Sequence, residues 1–187
     1  MAVEIEAKMK VEDFDAVRRR LTELGAHHVG AVLETNTFFD TPDRSLLAAE
    51  KGLRLRRTQD ISTGEKHYVI TVKGPQQKGP LKSREEAEVS VSDGDRAADV
   101  LRMLGYEPTL SFEKKRESWT LADCKIELDQ LPIFGRFVEI EGPGEEAVMR
   151  VRETLHLANR ELIKTGYISM LANYLREHGD KRRAITF

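Results

Sequence analysis

The sequence predicts a single α+β domain, and three observations lead there. Four segments carry the three- and four-residue spacing of amphipathic helices, eight short segments alternate as strands do, and no long linker divides them. A chain of 187 residues is one domain or two very small ones. At this size roughly 70% of the unfolded surface is buried on folding, enough for a core without staples.

In chain order, Val3–Lys10 reads as a strand with Val3, Ile5, Ala7 and Met9 on one face and Glu4, Glu6, Lys8 and Lys10 on the other. Phe14, Val17, Leu21 and Leu24 mark a helix stopped by Gly25. Glu34–Asp40 is a strand, and in the strand Gly52–Thr58, Leu53 and Leu55 oppose Arg54 and Arg56. Asp60 to Lys66 reads as a hairpin turn into the strand Lys66–Lys73, whose apolar residues are Tyr68, Ile70 and Val72. Gly74 to Lys82, with Pro75, Gly79 and Pro80, is expected to be a mobile loop.

In the strand Ser83–Val91, Ala87, Val89 and Val91 oppose Arg84, Glu86 and Glu88, and a helix follows on Ala97, Val100, Leu101 and Leu104. Leu110–Leu121 is a strand with charge on both faces: Lys114 and Arg116 on one, Glu113, Lys115 and Glu117 on the other. Periodicity does not say which of the two points inward. Cys124–Asp129 sets Ile126 and Leu128 against Glu127 and Asp129, and Gly135–Glu141 sets Val138 and Ile140 against Glu139 and Glu141. After Pro143 comes a helix on Val148, Val151 and Leu155, then a last one on Tyr167, Met170, Leu171, Tyr174 and Leu175 ending near Gly179. Lys181-Arg182-Arg183 is expected to lie in a solvated tail, which sets a domain over 1–178 and a tail over 179–187. Three times a Glu-x-Glu strand (Glu4/Glu6, Glu86/Glu88, Glu139/Glu141) leads into an amphipathic helix, a weak internal repeat.

Composition narrows the function classes. Charged residues are 33% of the chain, above the ~25% of an ordinary globular protein. Thirty Lys and Arg nearly balance 32 Asp and Glu, which argues against a nucleic-acid coat and its basic excess. The longest apolar run is Leu46 to Ala49, too short for a bilayer span, and the first residues carry no signal-peptide pattern. Cys124 is the only cysteine, so an internal disulfide or a multi-cysteine metal site is excluded. These features set the expectation of a cytoplasmic protein. His27, His28, His67, His156 and His178 are scattered; His67 alone shares parity with Lys73.

The charged strand faces admit two readings. An antiparallel sheet with helices on one side and water on the other needs no further explanation. Eight strands also suffice to close a barrel, which would turn the charged faces inward. Buried charge must then be neutralised by pairing, metal or ligand, because an unpaired ion costs several kcal/mol. The sorting of acids into pairs on some strands and Arg54 with Arg56 on another favours the second reading.

These charged strands also carry a resemblance. Glu4-Ile5-Glu6-Ala7-Lys8 is similar to the Glu-x-Glu-x-Lys opening of the CYTH family, the triphosphate tunnel metalloenzymes that unite class IV adenylyl cyclases with thiamine triphosphatases. The order of the downstream motifs is more specific. It includes Phe39-Asp40-Thr41-Pro42, Leu53-Arg54-Leu55-Arg56, Val72-Lys73-Gly74-Pro75, Arg84-x-Glu86-x-Glu88 and Glu113-Lys114-Lys115-Arg116 with Trp119. Glu127-Leu128-Asp129, Gly135 to Glu141 and Gly166-Tyr167 complete it, so the resemblance runs from Glu4 to about Leu175.

The resemblance implies an eight-stranded antiparallel closed β-barrel with helices packed outside and a tunnel holding a triphosphate with Mg²⁺ or Mn²⁺. It assigns phosphate oxygens to Lys8, Arg54, Arg56, Lys73, Arg84, Lys114 and Arg116, and the metal to Glu4, Glu6, Asp129, Glu139 and Glu141. Glu4, Glu6 and Lys8 would be the catalytic group, while Glu86, Glu88 and Glu127 face the same lumen. The residue types suit this chemistry: arginine forks bind phosphate bidentately, and carboxylates with no His or Cys cluster suit Mg²⁺ or Mn²⁺.

The implied partner is a small triphosphate (ATP, tripolyphosphate or thiamine triphosphate), with no nucleic acid and no membrane. An exposed barrel exterior leaves room for a homodimer. Two chemistries share such a tunnel: hydrolysis by a metal-positioned water, and cyclisation of ATP to cyclic AMP and pyrophosphate. The absence of a base-recognition signature leans toward hydrolysis, and a non-catalytic polyphosphate or nucleotide-binding module is the alternative of another class.

Overall fold

The computed structural model describes residues 2–187. The elements run β1 (Ala2–Val11), α1 (Asp15–Glu23), β2 (His27–Asp40), α2 (Ser45–Ala48), β3 (Gly52–Asp60), β4 (Lys66–Gln76), β5 (Lys82–Val91), α3 (Gly94–Met103), β6 (Glu107–Leu121), β7 (Cys124–Leu131), β8 (Gly135–Glu141), α4 (Glu145–Thr154), α5 (Tyr167–Glu177) and β9 (Ala184–Ile185). One sheet runs β2-β3-β4-β5-β1-β8-β7-β6-β9, and β2 also pairs with β6. The first eight strands therefore close into an antiparallel barrel, and the open-sheet reading is set aside.

Closure fixes which face is which. Ala7, Met9, Ile126, Leu128, Val138 and Ile140 are buried against Val17 and Leu21 of α1 and Val148 and Val151 of α4. Leu53, Leu55 and Phe39 are buried against Ala97 and Leu101 of α3. These are the outward residues of their strands, each worth about 1.5–3 kcal/mol when a large side chain is fully buried. The alternating residues between them must face the lumen.

Local chemistry sets the ends of the elements. The Asp93 carboxylate accepts from the backbone N–H groups of Asp95 and Arg96 and caps α3. Asp40 does the same for α2, accepting from Leu46 and Leu47. This four-residue helix was not legible as a periodic segment. Strand β2 begins at His27, seven residues before the sequence pattern starts, because a register shift between His28 and Gly30 interrupts the alternation. A shift between Lys73 and Gln76 likewise carries β4 past Pro75.

Lys181, Arg182 and Arg183 are exposed, as expected of a tail, but the two residues after them are not part of one. Ser111 and Phe112 of β6 pair in parallel with Ala184 and Ile185 of β9, and Ile185 is buried. A strap from Leu157 to Gly166 joins α4 to α5. It is held where Arg152 donates to the carbonyls of Ala158 and Arg160, each at 2.7 Å, and where Ile163 N–H donates to the Lys8 carbonyl at 2.8 Å. Lys164 Nζ ties the strap to the β4–β5 loop by donating to the Gly79 carbonyl at 2.6 Å. Among the described residues no helix is long and apolar enough to cross a membrane.

Candidate active site

The lumen is lined by ionised side chains from all eight barrel strands, and many pairs bridge strands that are not neighbours. Arg116 on β6 reaches Asp129 on β7 and, past it, Glu139 on β8, with N–O distances of 2.6 Å. Arg56 on β3 lies 3.6 Å from Glu88 on β5. Lys73 on β4 donates to Glu4 on β1 at 2.8 Å. Such contacts skip a strand and exist only on the concave side of a closed barrel. All fifteen residues singled out from the sequence occupy inward positions.

On β1, Glu6 and Lys8 are buried and Glu4 is half-buried. Burial alone would raise the Glu4 carboxyl, but Lys73 and Lys82 outweigh it and hold it at about 2. Burial, with Glu139 and Glu4 close by, pushes Glu6 up despite Lys82. Lys73 is shared, meeting Glu86 at 2.7 Å as well as Glu4. Burial drives Glu86 up to about 7, with Glu4 adding to the effect and Lys73 opposing it.

The opposite wall is basic. Arg54 donates to Thr71 Oγ1 at 3.0 Å, and Thr71 donates to Glu88 at 2.7 Å. Burial and the neighbouring Arg56 bring Arg54 down to about 10. Four cationic nitrogens of the lumen are buried with no hydrogen-bond partner among the described residues: Lys8 Nζ, Arg54 Nε, Arg56 Nε and Arg84 Nε; outside the lumen the same holds for Arg57 Nε and Arg152 Nε. Each is a donor left over after the internal ion pairs are made.

Two lumen residues escaped the sequence reading. Glu34 on β2 is buried between Lys114 at 3.2 Å and Arg56 at 3.6 Å, and these cations with Arg116 outweigh burial and hold it low. Its signal was the alternation Glu34-x-Asn36. Lys82 is buried and donates to Glu6 Oε1 at 2.5 Å. It stands one residue before the predicted start of β5 and shares parity with Arg84 and Glu86.

The ambiguous strand resolves with Lys114 and Arg116 inward. Outside, Glu117 accepts from Arg18 of α1 and from Trp119 Nε1. His67 is exposed beside Glu65 rather than among the lumen pairs. Trp119 packs against the outer core, as expected of a packing residue.

One end of the lumen is apolar. Phe38, Phe112, Leu131 and Phe137 share the inward parity of the charged residues and pack with Tyr167, Leu171 and Leu175 of α5 and with Ile185. Phe38 stacks on Phe112, and Tyr167 meets Phe137 edge-on at 5.3 Å. The α5 helix thus seals this end, with the Tyr167 ring beneath Lys8 Nζ at 4.3 Å and Lys114 Nζ at 5.5 Å.

Among the described residues no group of three or more His, Cys, Asp or Glu forms a ready-made metal site. The donor set nevertheless suits a hard divalent cation. Glu6 lies opposite Glu141, and Lys8 opposite Glu139, in the β1–β8 register, so neighbouring strands each bring carboxylate oxygens to the same stretch of lumen. Glu141 is pushed up by burial and by Glu4 and Glu6, the mark of an acid cluster short of positive charge.

A closed eight-stranded barrel with helices outside and a charged lumen defines a tunnel-type α+β protein. A family model described as the CYTH domain matches residues 2–166, and the chain belongs to that family. The adenylate cyclase CyaB of Aeromonas hydrophila is 33% identical over 141 residues, covering 73% of this chain and 67% of that one. Among solved structures, the PH1819 protein of Pyrococcus horikoshii OT3 superimposes with a TM-score of 0.79 at 24% identity, covering 91% of this chain and 99% of that one. The Hippeastrum protein HpAC1, a candidate adenylyl cyclase described as having a dominant triphosphatase activity, gives 0.69 at 18% identity, with 93% and 96% covered.

Proposed function

We propose that the lumen binds a linear triphosphate and that the protein carries out divalent-metal-dependent phosphoryl transfer on it, with hydrolysis as the leading reaction. The observation that carries this is the set of lumen-facing cationic nitrogens buried without a hydrogen-bond partner among the described residues: Lys8 Nζ, Arg54 Nε, Arg56 Nε and Arg84 Nε. A polyanion threaded through the lumen offers each of them an oxygen, and charge-assisted bonds of this kind are the strong ones.

Arg54, Arg56, Arg84, Lys73, Lys114 and Arg116 grip phosphate oxygens from several directions, and Lys8 adds a point charge below. Glu4, Glu6, Asp129, Glu139 and Glu141 would hold Mg²⁺ or Mn²⁺, whose chemistry is to neutralise phosphate charge and orient a nucleophilic water. Glu4, Glu6 and Lys8, adjacent on one strand face, would be the catalytic group. The charged contacts of the lumen suit phosphate or metal, and no base-recognition signature stands beside them, which favours hydrolysis. Cyclisation of ATP is the second reading, favoured by the 33% identity to a protein named adenylate cyclase.

Product analysis separates the two. With Mg²⁺ or Mn²⁺, hydrolysis predicts phosphate from tripolyphosphate at least as fast as from ATP. Cyclic AMP with stoichiometric pyrophosphate, and tripolyphosphate acting only as an inhibitor, would establish cyclisation instead. Binding without turnover would mark a polyphosphate-binding module.

A further inference from the structure

Two polar atoms at the sealed end of the lumen have no hydrogen-bond partner among the described residues, and Lys8 Nζ reaches Glu139 only as a 3.7 Å ion pair. Tyr167 is 8% exposed and its hydroxyl has no hydrogen-bond partner among the described residues; the same holds for Lys8 Nζ directly above its ring. A buried hydroxyl without a partner costs about 1–3 kcal/mol, so a phenylalanine would serve packing at least as well. The ring is already held by Phe137, Leu171 and Leu175, so the hydroxyl is not needed to place α5. A phenol titrates at about 10 in water, so the hydroxyl carries its proton and is a donor at neutral pH.

We propose that the Tyr167 hydroxyl and the Lys8 ammonium form the floor of a blind tunnel and together bind the free terminal phosphate of the substrate. This deepens the triphosphate reading and rests on it. The floor has no exit, because Phe38, Phe112, Leu131 and Phe137 fill the lumen beyond it and α5 lies behind them. A terminal phosphate with unsubstituted oxygens fits there. The organic part of the substrate then projects from the opposite mouth, where Glu88 is 44% exposed. The substrate class is therefore triphosphates substituted at one end only, and the site rejects those capped at both ends.

Titration calorimetry with Mg²⁺ present tests this, using tripolyphosphate, ATP and diadenosine triphosphate as probes. Tyr167→Phe should bind tripolyphosphate about tenfold more weakly, the loss of one hydrogen bond to a charged group. Its thermal unfolding without ligand should match or exceed that of the unaltered protein. The unaltered protein should bind diadenosine triphosphate at least tenfold more weakly than ATP. Equal binding by Tyr167→Phe would overturn the floor, as would equal binding of the doubly capped compound, an arm that does not depend on the variant folding. If the unaltered protein binds no tripolyphosphate, the triphosphate reading falls as well; if it binds and only the comparisons fail, that reading stands and the floor alone is lost.

Discussion

Arg116 on β6 and Glu139 on β8 meet at 2.6 Å across the inner face of β7, the strand that separates them. The same guanidinium makes two bonds to Asp129 and lies within 4.0 Å of Glu34 and Glu127. One cation thus serves four carboxylates drawn from three strands, its pairing partners β2 and β7 and, beyond β7, β8.

Arg116→Ala should therefore destabilise the barrel by about 3–5 kcal/mol, because it strands buried carboxylates without a counter-charge. Arg116→Lys should recover part of the loss, since the forked geometry is gone but the charge remains. Urea unfolding of the two variants measures this. A cost below about 1 kcal/mol for the alanine variant would mean that the lumen floods and solvates its acids.

Arg56 makes a contrasting case, with its ion pairs to Glu34 and Glu88 both stretched to 3.6 Å and its Nε unpartnered. Arg56→Ala should weaken tripolyphosphate binding about tenfold to a hundredfold, the loss of a charged hydrogen bond. Titration calorimetry reads it out, and unaltered affinity would remove β3 from the site.

Stability should also respond to pH through Glu86. Its carboxyl sits at about 7 in the folded protein against an ordinary value of 4.5, so the folded state holds the extra proton between those values. That contribution is complete below pH 4.5 and is lost as pH rises through 7. Glu86→Gln should flatten this decline in unfolding midpoints over the same range. Glu86 is only half-buried, so the effect should be a fraction of the ~1.4 kcal/mol per unit of a fully buried group. Parallel pH profiles for the two proteins would show that Glu86 does not titrate in this range.

The C-terminal strand offers a fourth test. Ile185 is 1% exposed and packs with Phe112, Leu171 and Leu175. Ile185→Ala should cost about 2–5 kcal/mol, as for other fully buried aliphatic residues. Thermal melts decide it; an unchanged midpoint would restore the expectation of a solvated tail.

Much of the lumen was legible because strand parity is a strict period of two: once Ile5, Ala7 and Met9 are assigned to the core, Glu4, Glu6 and Lys8 have nowhere else to point. The failures have local causes. β6 reads as charged on both faces because its outer face is engaged too, Glu117 by Arg18 and Lys115 by the Phe187 ring. Lys82 was hidden by the Pro- and Gly-containing loop that precedes it, and Glu34 by having no second acid two residues away on its strand. Tyr167 looked like one more member of the α5 stripe. Only its place beneath Lys8 distinguishes it, and no spacing in the sequence reports that.

The lumen already contains its own counter-ions: eight cationic side chains (Lys8, Arg54, Arg56, Lys73, Lys82, Arg84, Lys114, Arg116) stand against nine carboxylates (Glu4, Glu6, Glu34, Glu86, Glu88, Glu127, Asp129, Glu139, Glu141). It behaves as an ion exchanger rather than a magnet. Beyond the few unpartnered nitrogens, an entering phosphate oxygen would gain its cation by releasing a carboxylate, so the free energy of entry would be in large part a difference between two strong pairings. Near-neutral walls project little field past the mouth, and added salt should slow association far less than it would for an openly basic cleft. Discrimination then happens on contact, one exchanged ion pair at a time.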